Sequence, residues 1–407
     1  MCSSLHTTHH APRTMSQPLP LHGLRVLEFT HAVLGPTCGM LLADFGAEVI
    51  KIEPSPNGDP TRRLRGFGMG FAPYLFRNRK SIAINLKSDA GREVVGKLLD
   101  SADILIENFG PGTMDRLGLD YNALAKKYPR LIYCALKGFL PGPYEKRMAL
   151  DEVVQMMSGL AYMTGPPGQP LRAGASVIDM MTGIYGAVGI LLALRDREQT
   201  GEGQLVKSAL FETAASVMGQ HMAYSAVSGV EVPPMPARVS AWGIYHQFRV
   251  KNNELMFIGV TSDKQWVRFC EQFERPDLFA DGRIATNNGR VAEQSWLLSD
   301  LRDMFIEMDK ADVIARCERA NLPFSPIARP EDLFSDPQLL EGGSLLNTLL
   351  PNGEQTQLPR LPVLVGDHEF GIRTQPPAIG QDTNQLLQSL GYSTEEIEDW
   401  RSAEFIR

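Results

Sequence analysis

The chain has 407 residues, of which 43% are hydrophobic and 21% charged. These values are typical of a globular protein with two or three domains, and they exclude disordered and fibrous classes. The net charge of -7 comes from 40 basic and 47 acidic residues that are mixed along the chain. We therefore expect neither nucleic acid nor an anionic membrane as a partner.

The five cysteines are odd in number, far apart and without CxxC spacing. This usage indicates a reducing compartment and no zinc site, so we predict a cytoplasmic protein without a metal. The longest apolar run, 184–194, is too short to span a bilayer. The opening MCSSLHTTHHAPRTM lacks the apolar segment of a secretory signal, which predicts a disordered leader over 1–20 or a true start at Met15.

Short apolar strands alternate with helical patterns from residue 21 to about residue 138. The predicted strands are 24–29, 48–53, 81–86, 103–109 and 131–138, and the predicted helices are 37–46, 89–100 and 113–128. This alternation predicts an α/β fold with a Rossmann-like parallel sheet that binds ligands beyond the carboxyl ends of its strands. The first strand precedes THAVLGPTCG rather than GxGxxG, so a standard dinucleotide site is not expected.

The rest of the chain predicts buried helices at 151–161 and 179–197, and a helical pattern that continues over 205–227. The segment GVEVPPMPARVSAWG (229–243) breaks the composition. A hairpin with Asn-Asn at its turn follows, then helices at 263–273, 291–308 and 310–320, a strand at 358–366 and two short helices separated at Gly391. We predict a large domain over 21–228, a smaller α+β domain over 229–338 and a return to the large domain over 339–407.

Asp179 is a single acid near the start of an apolar segment that contains regularly spaced glycines, VIDMMTGIYGAVGILLAL. One interpretation is a helix N-cap, whose side chain accepts from first-turn amides. The other is a covalent nucleophile, since a carboxylate at a helix start next to a pocket can attack an acyl group. No His or second acid lies within four residues to make Asp179 a metal ligand or half of a carboxylate pair. Gly183, Gly186 and Gly189 recur every third residue and let another backbone come close to this helix.

The segment ENFGPGTMDRLG (107–118) follows a strand and leads into a helix. Asn108, Phe109 and the amides near Gly110 then lie where an α/β fold binds ligands, and Arg116 in the next helix can meet a phosphate. An ordinary strand-to-helix turn is the alternative. Cations also lie near predicted strand ends, where they could contact phosphates or form a solvated basic edge: Arg77, Arg79, Lys80, Lys87 and Lys137.

Taken together, these segments resemble the class III CoA-transferase family, which includes formyl-CoA transferase and the carnitine CoA-transferases. The resemblance runs nearly end to end, in order and spacing. It rests on the Asp179 segment with its tail RDREQTGEGQ and on LHGLRVLEFTHAVLGP (21–36), GAEVIKIEPSPNGDPTR (46–62), RKSIAINLKSDAG (79–91), ADILIENFGPGTMDRLGLDY (102–121), NLPFSPIARPEDLFSDPQL (321–339) and IGQDTNQLLQSLGYSTEEI (379–397).

The resemblance implies that Asp179 is the catalytic nucleophile. In this family the aspartate attacks an acyl-CoA thioester, giving a mixed anhydride and then an aspartyl-CoA thioester, from which an incoming acid collects the CoA. The substrates are an acyl-CoA, for which we expect succinyl-CoA, and a small organic acid, for which we expect a dicarboxylate. Coenzyme A is thus a substrate, and no prosthetic group is expected. The family fold implies an interlocked homodimer of two threaded rings.

The resemblance also places CoA contacts on motif positions spread over the large domain: Val33, Leu34, Ile84, Lys87, Asn108, Phe109, Gly110, Arg116, Leu150 and Asp151. Lys137, a cation near a strand end, is predicted to contact CoA as well. Several positions depart from formyl-CoA transferase, which has a glutamine at Val33, an arginine at Pro54, a lysine at Met148 and a tyrosine at Leu150. Its glycine-rich loop is replaced by VPPMPARVSAW (232–242). These changes argue against oxalate and formate, and Arg238 in that loop could bind the second carboxylate of a larger acid.

Two alternatives remain. The family contains α-methylacyl-CoA racemases, which use a His-Asp dipeptide together with the aspartate that matches Asp179. Here the dipeptide position reads Leu150-Asp151, and without that imidazole to exchange the α-proton we favour the transferase. A non-catalytic CoA-binding protein, in which Asp179 is only a cap, is the other alternative.

Overall fold

The computed structural model describes residues 18–238 and 240–407, so the predicted leader lies outside the described residues except for 18–20. The chain divides into two compact units, one containing residues 18–232 and 341–407 and the other residues 233–340. These boundaries lie within a few residues of the predicted 228/229 and 338/339.

The structure contains eleven strands within the described ranges. They are β1 (Arg25–Phe29), β2 (Glu48–Pro54), β3 (Arg79–Ile84), β4 (Ile104–Glu107), β5 (Ile132–Lys137), β6 (Leu205–Ala209), β7 (Ile244–Arg249), β8 (Leu255–Val260), β9 (Phe324–Pro326), β10 (Leu345–Leu349) and β11 (Gln355–Pro359). The first six form one sheet in the order β3-β2-β1-β4-β5-β6, in which every neighbouring pair is parallel. The predicted parallel sheet is therefore confirmed, with each of the five predicted strands within two residues of its observed ends.

The α-helices follow in chain order. They are α1 (Leu34–Asp44), α2 (Phe71–Leu75), α3 (Asp89–Leu99), α4 (Thr113–Leu117), α5 (Tyr121–Lys127), α6 (Asp151–Met157), α7 (Leu160–Thr164), α8 (Val177–Thr200), α9 (Leu210–Val217), α10 (Gly219–Ser228), α11 (Asp263–Gln272), α12 (Pro276–Ala280), α13 (Asn287–Ala292), α14 (Gln294–Phe305), α15 (Lys310–Ala320), α16 (Pro337–Glu341), α17 (Thr383–Ser389) and α18 (Thr394–Ser402). Short 3-10 helices lie at Pro60–Arg63, Gly66–Gly70, Lys251–Asn253, Gly282–Ile284 and Pro330–Ser335.

The six-stranded sheet separates two apolar cores. Along β1, Leu27 and Phe29 face one core while Val26 faces the other, as the alternation of side chains along a strand requires. All three side chains are fully buried. Strands covered on both faces in this way are typical of parallel sheets in α/β proteins.

The second unit has its own core around the antiparallel sheet β7-β8-β9. β7 and β8 form the predicted hairpin, and Asn252 and Asn253 at its turn have φ of 61° and 63°. Asparagine tolerates this left-handed conformation better than most residues. The hairpin prediction is therefore confirmed, down to its turn residues.

Several predicted elements were wrong in extent. Residues 205–209 form β6 rather than the start of a helix. The predicted helix 113–128 is two helices separated at Gly118, and 151–161 is interrupted at Gly159, where φ of 67° and 87° end a helical turn. Helix 291–308 is likewise divided between α13 and α14, and the strand predicted at 358–366 is β11, which ends at Pro359.

The three glycines of α8 lie against neighbouring elements, as predicted. A Cβ atom at Gly183 would lie 2.7 Å from the carbonyl oxygen of Leu34 on α1, and one at Gly186 would lie 2.6 Å from the side chain of Leu136. A Cβ at Gly189 would meet Val206 at the same distance. Real Cβ contacts are longer than these, so each glycine allows α8 to pack closely, and at Gly183 the partner is backbone.

α8 is also longer than the apolar run seen in the sequence. Its 24 residues have a mean hydropathy of 1.9 over the most apolar window, enough by length and composition to cross a membrane. The whole of α8 is therefore long enough to span a bilayer, unlike the apolar run 184–194. The core helix of a soluble protein passes the same test, and α8 packs against α1, β5 and β6.

Candidate active site

A cavity of about 140 Å³ opens at the carboxyl ends of β1, β4 and β5. The strand order reverses between β1 and β4, because β2 lies on one side of β1 and β4 on the other. Open α/β sheets bind ligands in the crevice at such a reversal. The cavity brings together seven of the predicted site residues: Leu34, Asn108, Phe109, Gly110, Lys137, Leu150 and Asp179.

Asp179 lies in the first turn of α8, after Val177 and Ile178. The N-cap position belongs to Ser176, and its side chain makes no capping hydrogen bond. Asp151 instead accepts the backbone N–H groups of Ile178 at 2.8 Å and of Asp179 at 2.9 Å through Oδ2. The N-cap interpretation of Asp179 is therefore wrong, because another carboxylate binds the amides that a cap would satisfy.

Asp151 is itself held in place. Its side chain is buried at the start of α6, and Oδ1 accepts a hydrogen bond from Gln155 Nε2. Gln155 Oε1 in turn accepts the Ala173 N–H at 2.9 Å. Asp151 was predicted to contact CoA, but it does not line the cavity. The structure places it behind Asp179, where it fixes the start of α8.

The carboxylate of Asp179 has an unusual environment. Within residues 18–238 and 240–407, no donor or cation forms a hydrogen bond or ion pair with its oxygens. Burial first, and then the negative charge of Asp151, raise the pKa of Asp179 from 3.8 to about 7. Both effects disfavour the charged form. The result is a basic carboxylate in a cavity, an arrangement that suits a nucleophile.

Lys137 and Asn108 line the cavity, but their polar groups already form hydrogen bonds or ion pairs with other parts of the protein. Lys137 Nζ lies 2.6 Å from the buried Glu107 carboxylate and donates to the Phe109 carbonyl at 2.8 Å. Asn108 Oδ1 accepts a hydrogen bond from the backbone N–H of His31 at 3.0 Å. Asn108 Nδ2 donates one to the backbone carbonyl of His31 at 2.9 Å. Both residues therefore shape the cavity wall, and Glu107 is a site residue that the sequence reasoning missed.

His31 is a second missed residue, since it lines the same cavity as Asp179. Its ring lies 5.7 Å from that of Phe109. Burial is the largest effect on the pKa of His31 and lowers it. The imidazole is therefore neutral at pH 7. The cavity thus contains an imidazole from His31, although position 150 carries a leucine.

Besides Asp151, four predicted CoA contacts and the predicted substrate residue Arg238 are not among the residues that line this cavity. Val33 is buried in an apolar cluster with Met40 and Phe76, and Ile84 is in the core at the end of β3. Lys87 is exposed in the loop that follows β3. Arg116 is exposed on α4 and donates a hydrogen bond to Thr113 Oγ1 at 2.9 Å. Arg238 is exposed and belongs to the unit of residues 233–340.

Three of the cations predicted near strand ends do not line the cavity: Arg77, Arg79 and Lys80. Arg77 is buried against Asp44 at 2.8 Å, and Arg79 is buried against Glu28 at 2.5 Å. Arg79 begins β3, so it and its neighbour Lys80 lie at the amino ends of the strands, away from the cavity. For these three residues the prediction of phosphate contacts at the ligand-binding edge was wrong.

Arg147 is a third missed residue and lines the cavity near Met148. Its guanidinium lies 4.7 Å from the centre of the Tyr144 ring. Within the described ranges Arg147 forms no ion pair with a carboxylate, whereas Lys137 is neutralised by Glu107. Arg147 is therefore available to an anionic ligand. In the same part of the chain, no cluster of three or more His, Cys, Asp or Glu residues could hold a metal ion.

Comparison with known proteins gives the family. A model of CoA-transferase family III matches residues 21–383. The succinate–glutarate CoA-transferase of Agrobacterium fabrum is 33% identical over 384 residues, covering 91% of this chain and 96% of that protein. The succinyl-CoA–L-malate CoA-transferase beta subunit of Chloroflexus aurantiacus is 32% identical over 400 residues, with 95% and 98% covered.

The fold agrees with this match. The crystal structure of a CAIB/BAIF family protein from Brucella suis superposes with a TM-score of 0.82 and 31% sequence identity, and the alignment covers 92% of this chain and all of the other. The chain therefore belongs to CoA-transferase family III and is a CoA-transferase.

Proposed function

We propose that this enzyme transfers coenzyme A from succinyl-CoA to a dicarboxylic acid through covalent intermediates on Asp179. The observation that carries the proposal is the Asp179 carboxylate, which faces the cavity at the strand-order reversal without a partner among the described residues. Its raised pKa makes it more basic than an ordinary carboxylate, and nucleophilicity rises with basicity. No separate base is required, because a carboxylate attacks in its ionised form.

The proposed reaction neither consumes nor releases a proton overall. A carboxylate oxygen of Asp179 attacks the thioester carbon, the C–S bond breaks, and the CoA thiolate leaves a mixed anhydride. The thiolate attacks the aspartyl carbonyl carbon, which releases the first acid as a carboxylate and leaves an aspartyl-CoA thioester. The acceptor carboxylate repeats the two steps in reverse and regenerates Asp179.

A dicarboxylate acceptor is supported by the relatives and by the cavity. The two relatives above are named for succinate and glutarate and for succinyl-CoA and malate. Arg147 gives this cavity a guanidinium that can bind a second carboxylate in a bidentate manner. Arg238 was predicted for this role and remains a prediction. An Arg147→Gln variant is expected to lose activity with dicarboxylates more than with monocarboxylates of similar length.

We also propose a cytoplasmic homodimer with interlocked chains. Along α8 the side chains of Ile184, Tyr185, Val188 and Leu192 are between 44% and 64% exposed. An apolar patch of this kind marks an interaction surface, and a second copy of the chain would cover it. The four cysteines within the described residues are free and buried, which suits a reducing compartment. Analytical ultracentrifugation tests the oligomer, and a monomer at micromolar concentration would contradict it.

The mechanism is tested by trapping the enzyme. Wild-type protein is incubated with succinyl-CoA, treated with borohydride or hydroxylamine, and digested for mass spectrometry, which should find Asp179 modified. Asp179→Ala should lose at least about 10³-fold in kcat, because no other group replaces the nucleophile. Asp196→Ala is the matched control, since Asp196 is an exposed acid on the same helix. Full activity of Asp179→Ala would refute the mechanism.

The racemase alternative gains one observation from the structure, the imidazole of His31 in the Asp179 cavity. The His31 imidazole and the Asp179 carboxylate line the same cavity and could exchange an α-proton between them. Incubation of a 2-methylacyl-CoA in deuterated water, without an acceptor acid, separates the two functions. Incorporation of deuterium at the α-carbon supports the racemase, and its absence together with acid-dependent CoA transfer supports the transferase. Binding of CoA without either reaction indicates the non-catalytic alternative.

A further inference from the structure

The loop between β1 and α1 forms one wall of the Asp179 cavity through His31 and Ala32. Ala32 has a φ of 61°, a left-handed conformation that costs an alanine about 1–2 kcal/mol. A residue stays in such a conformation only where its surroundings hold it there. The contacts around Ala32 should therefore explain the shape of this wall.

Those contacts form a closed circuit of side chains. The Ala32 N–H donates to Thr61 Oγ1 at 2.7 Å, and the Thr61 hydroxyl donates to Asp59 Oδ1 at 2.6 Å. Asp59 Oδ2 lies 2.8 Å from Lys51 Nζ, which donates to the Thr30 carbonyl at 2.7 Å. The circuit begins and ends on backbone groups that flank His31. It therefore fixes the peptide groups on both sides of that residue.

The circuit is buried, which makes its geometry costly to break. The side chain of Lys51 is fully buried, and those of Asp59 and Thr61 are 2% and 3% exposed. Lys51 Nζ also lies 3.5 Å from Glu28 and 4.6 Å from the centre of the Phe76 ring. Removing one partner from such a group leaves an unpaired buried charge. A change that keeps the ion pair is therefore the informative one.

We propose that Lys51, Asp59 and Thr61 are positioning residues that hold the His31–Ala32 backbone in the shape required by the acyl-CoA thioester beside Asp179. The inference rests on the proposed function and gives a role to residues that touch neither the cavity nor any reacting atom. A network that only stabilised the sheet would have no need to end on the Thr30 carbonyl and the Ala32 amide.

The test is Thr61→Val, which keeps the shape of the side chain and removes the hydroxyl. It leaves the Lys51–Asp59 ion pair intact. Hydrogen–deuterium exchange of the peptide covering 30–36 should become faster, because the Ala32 amide loses its acceptor. The kcat for CoA transfer from succinyl-CoA should fall by about tenfold or more, since small displacements at a reacting centre are costly. The Kd for free CoA should stay within about twofold, because CoA itself does not need the thioester geometry. Thr61→Ser should restore both exchange and kcat.

Thr383→Val is the matched control. Thr383 is 1% exposed, and its hydroxyl accepts the Ala83 N–H at 3.3 Å, away from the cavity. It should lower the melting temperature as Thr61→Val does, yet leave kcat and the exchange of 30–36 unchanged. Equal losses of kcat in the two valine variants, or unchanged exchange in Thr61→Val, would overturn the inference. If the wild type transfers no CoA, the proposed function fails, and the exchange data alone decide whether the circuit holds the loop.

Discussion

Replacing Asp179 by asparagine is expected to stabilise the folded protein at alkaline pH while abolishing its activity. In the folded chain the pKa of Asp179 rises from 3.8 to about 7, because of burial and the charge of Asp151. A difference of this size corresponds to about 4 kcal/mol against the ionised form in the folded state. Asparagine has the same shape and no charge, so it avoids this cost.

The pH dependence follows from the direction of the shift. Below the unfolded pKa both states are protonated, and Asp179 costs nothing relative to asparagine. As pH rises towards 7 the unfolded chain ionises first, and the free energy of unfolding of the wild type falls. The advantage of Asp179→Asn should therefore be about 1.7 kcal/mol at pH 5 and about 4 kcal/mol at pH 8, when the two pKa values are converted at 1.36 kcal/mol per unit.

Urea unfolding at pH 5 and pH 8 measures this difference at fixed protein concentration. Asp196→Asn is the control, because Asp196 is an exposed acid on the same helix and its carboxylate accepts a hydrogen bond from Gln204. It should change the free energy of unfolding by less than about 0.5 kcal/mol at either pH. An Asp179→Asn protein that is no more stable than the wild type at pH 8 would refute the reasoning.

Two further changes probe the helix start. Asp151→Asn should lower the pKa of Asp179, since the negative charge of Asp151 is the second cause of its rise; the midpoint of the pH–kcat profile should move below about 7, and an unmoved midpoint would exclude a role for that charge. Gly183→Ala should lower the free energy of unfolding by about 1–3 kcal/mol, because its Cβ would lie 2.7 Å from the Leu34 carbonyl oxygen. Gly96→Ala in α3 is its control: a Cβ there meets nothing within 4 Å, so urea unfolding should show a gain of up to about 1 kcal/mol.

The sequence predicted the sheet because strands buried on both faces read as short apolar runs between amphipathic helices. β6 was missed for a physical reason. Its sequence LVKSA runs directly into α9, and the two together read as one helical pattern over 205–227. Only pairing with β5 makes these residues a strand, and tertiary pairing is not visible in a local pattern.

At the site, the sequence singled out Asp179 as the candidate nucleophile through its isolation and the family resemblance. The sequence could not show that Asp151 accepts hydrogen bonds from the backbone amides at the start of α8. Asp151 lies 28 residues earlier in the chain, and nothing local distinguishes a CoA contact from a residue that holds the next helix. The same limit applies to Thr61, whose hydroxyl acts on Ala32 only because β1 and β2 are adjacent in the sheet.

The two polar arrangements around the cavity act on elements that are packed directly together. Asp151 fixes the first turn of α8, and the Lys51–Asp59–Thr61 circuit fixes the loop that leads into α1. One turn after Asp179, Gly183 brings α8 against the Leu34 carbonyl at the start of α1. A displacement of either element would therefore be transmitted through this backbone contact to the other. The Asp179 carboxylate is buried without a partner among the described residues, and this is tolerated because neighbours on both sides set its position. The free energy that this burial costs is the source of its basicity.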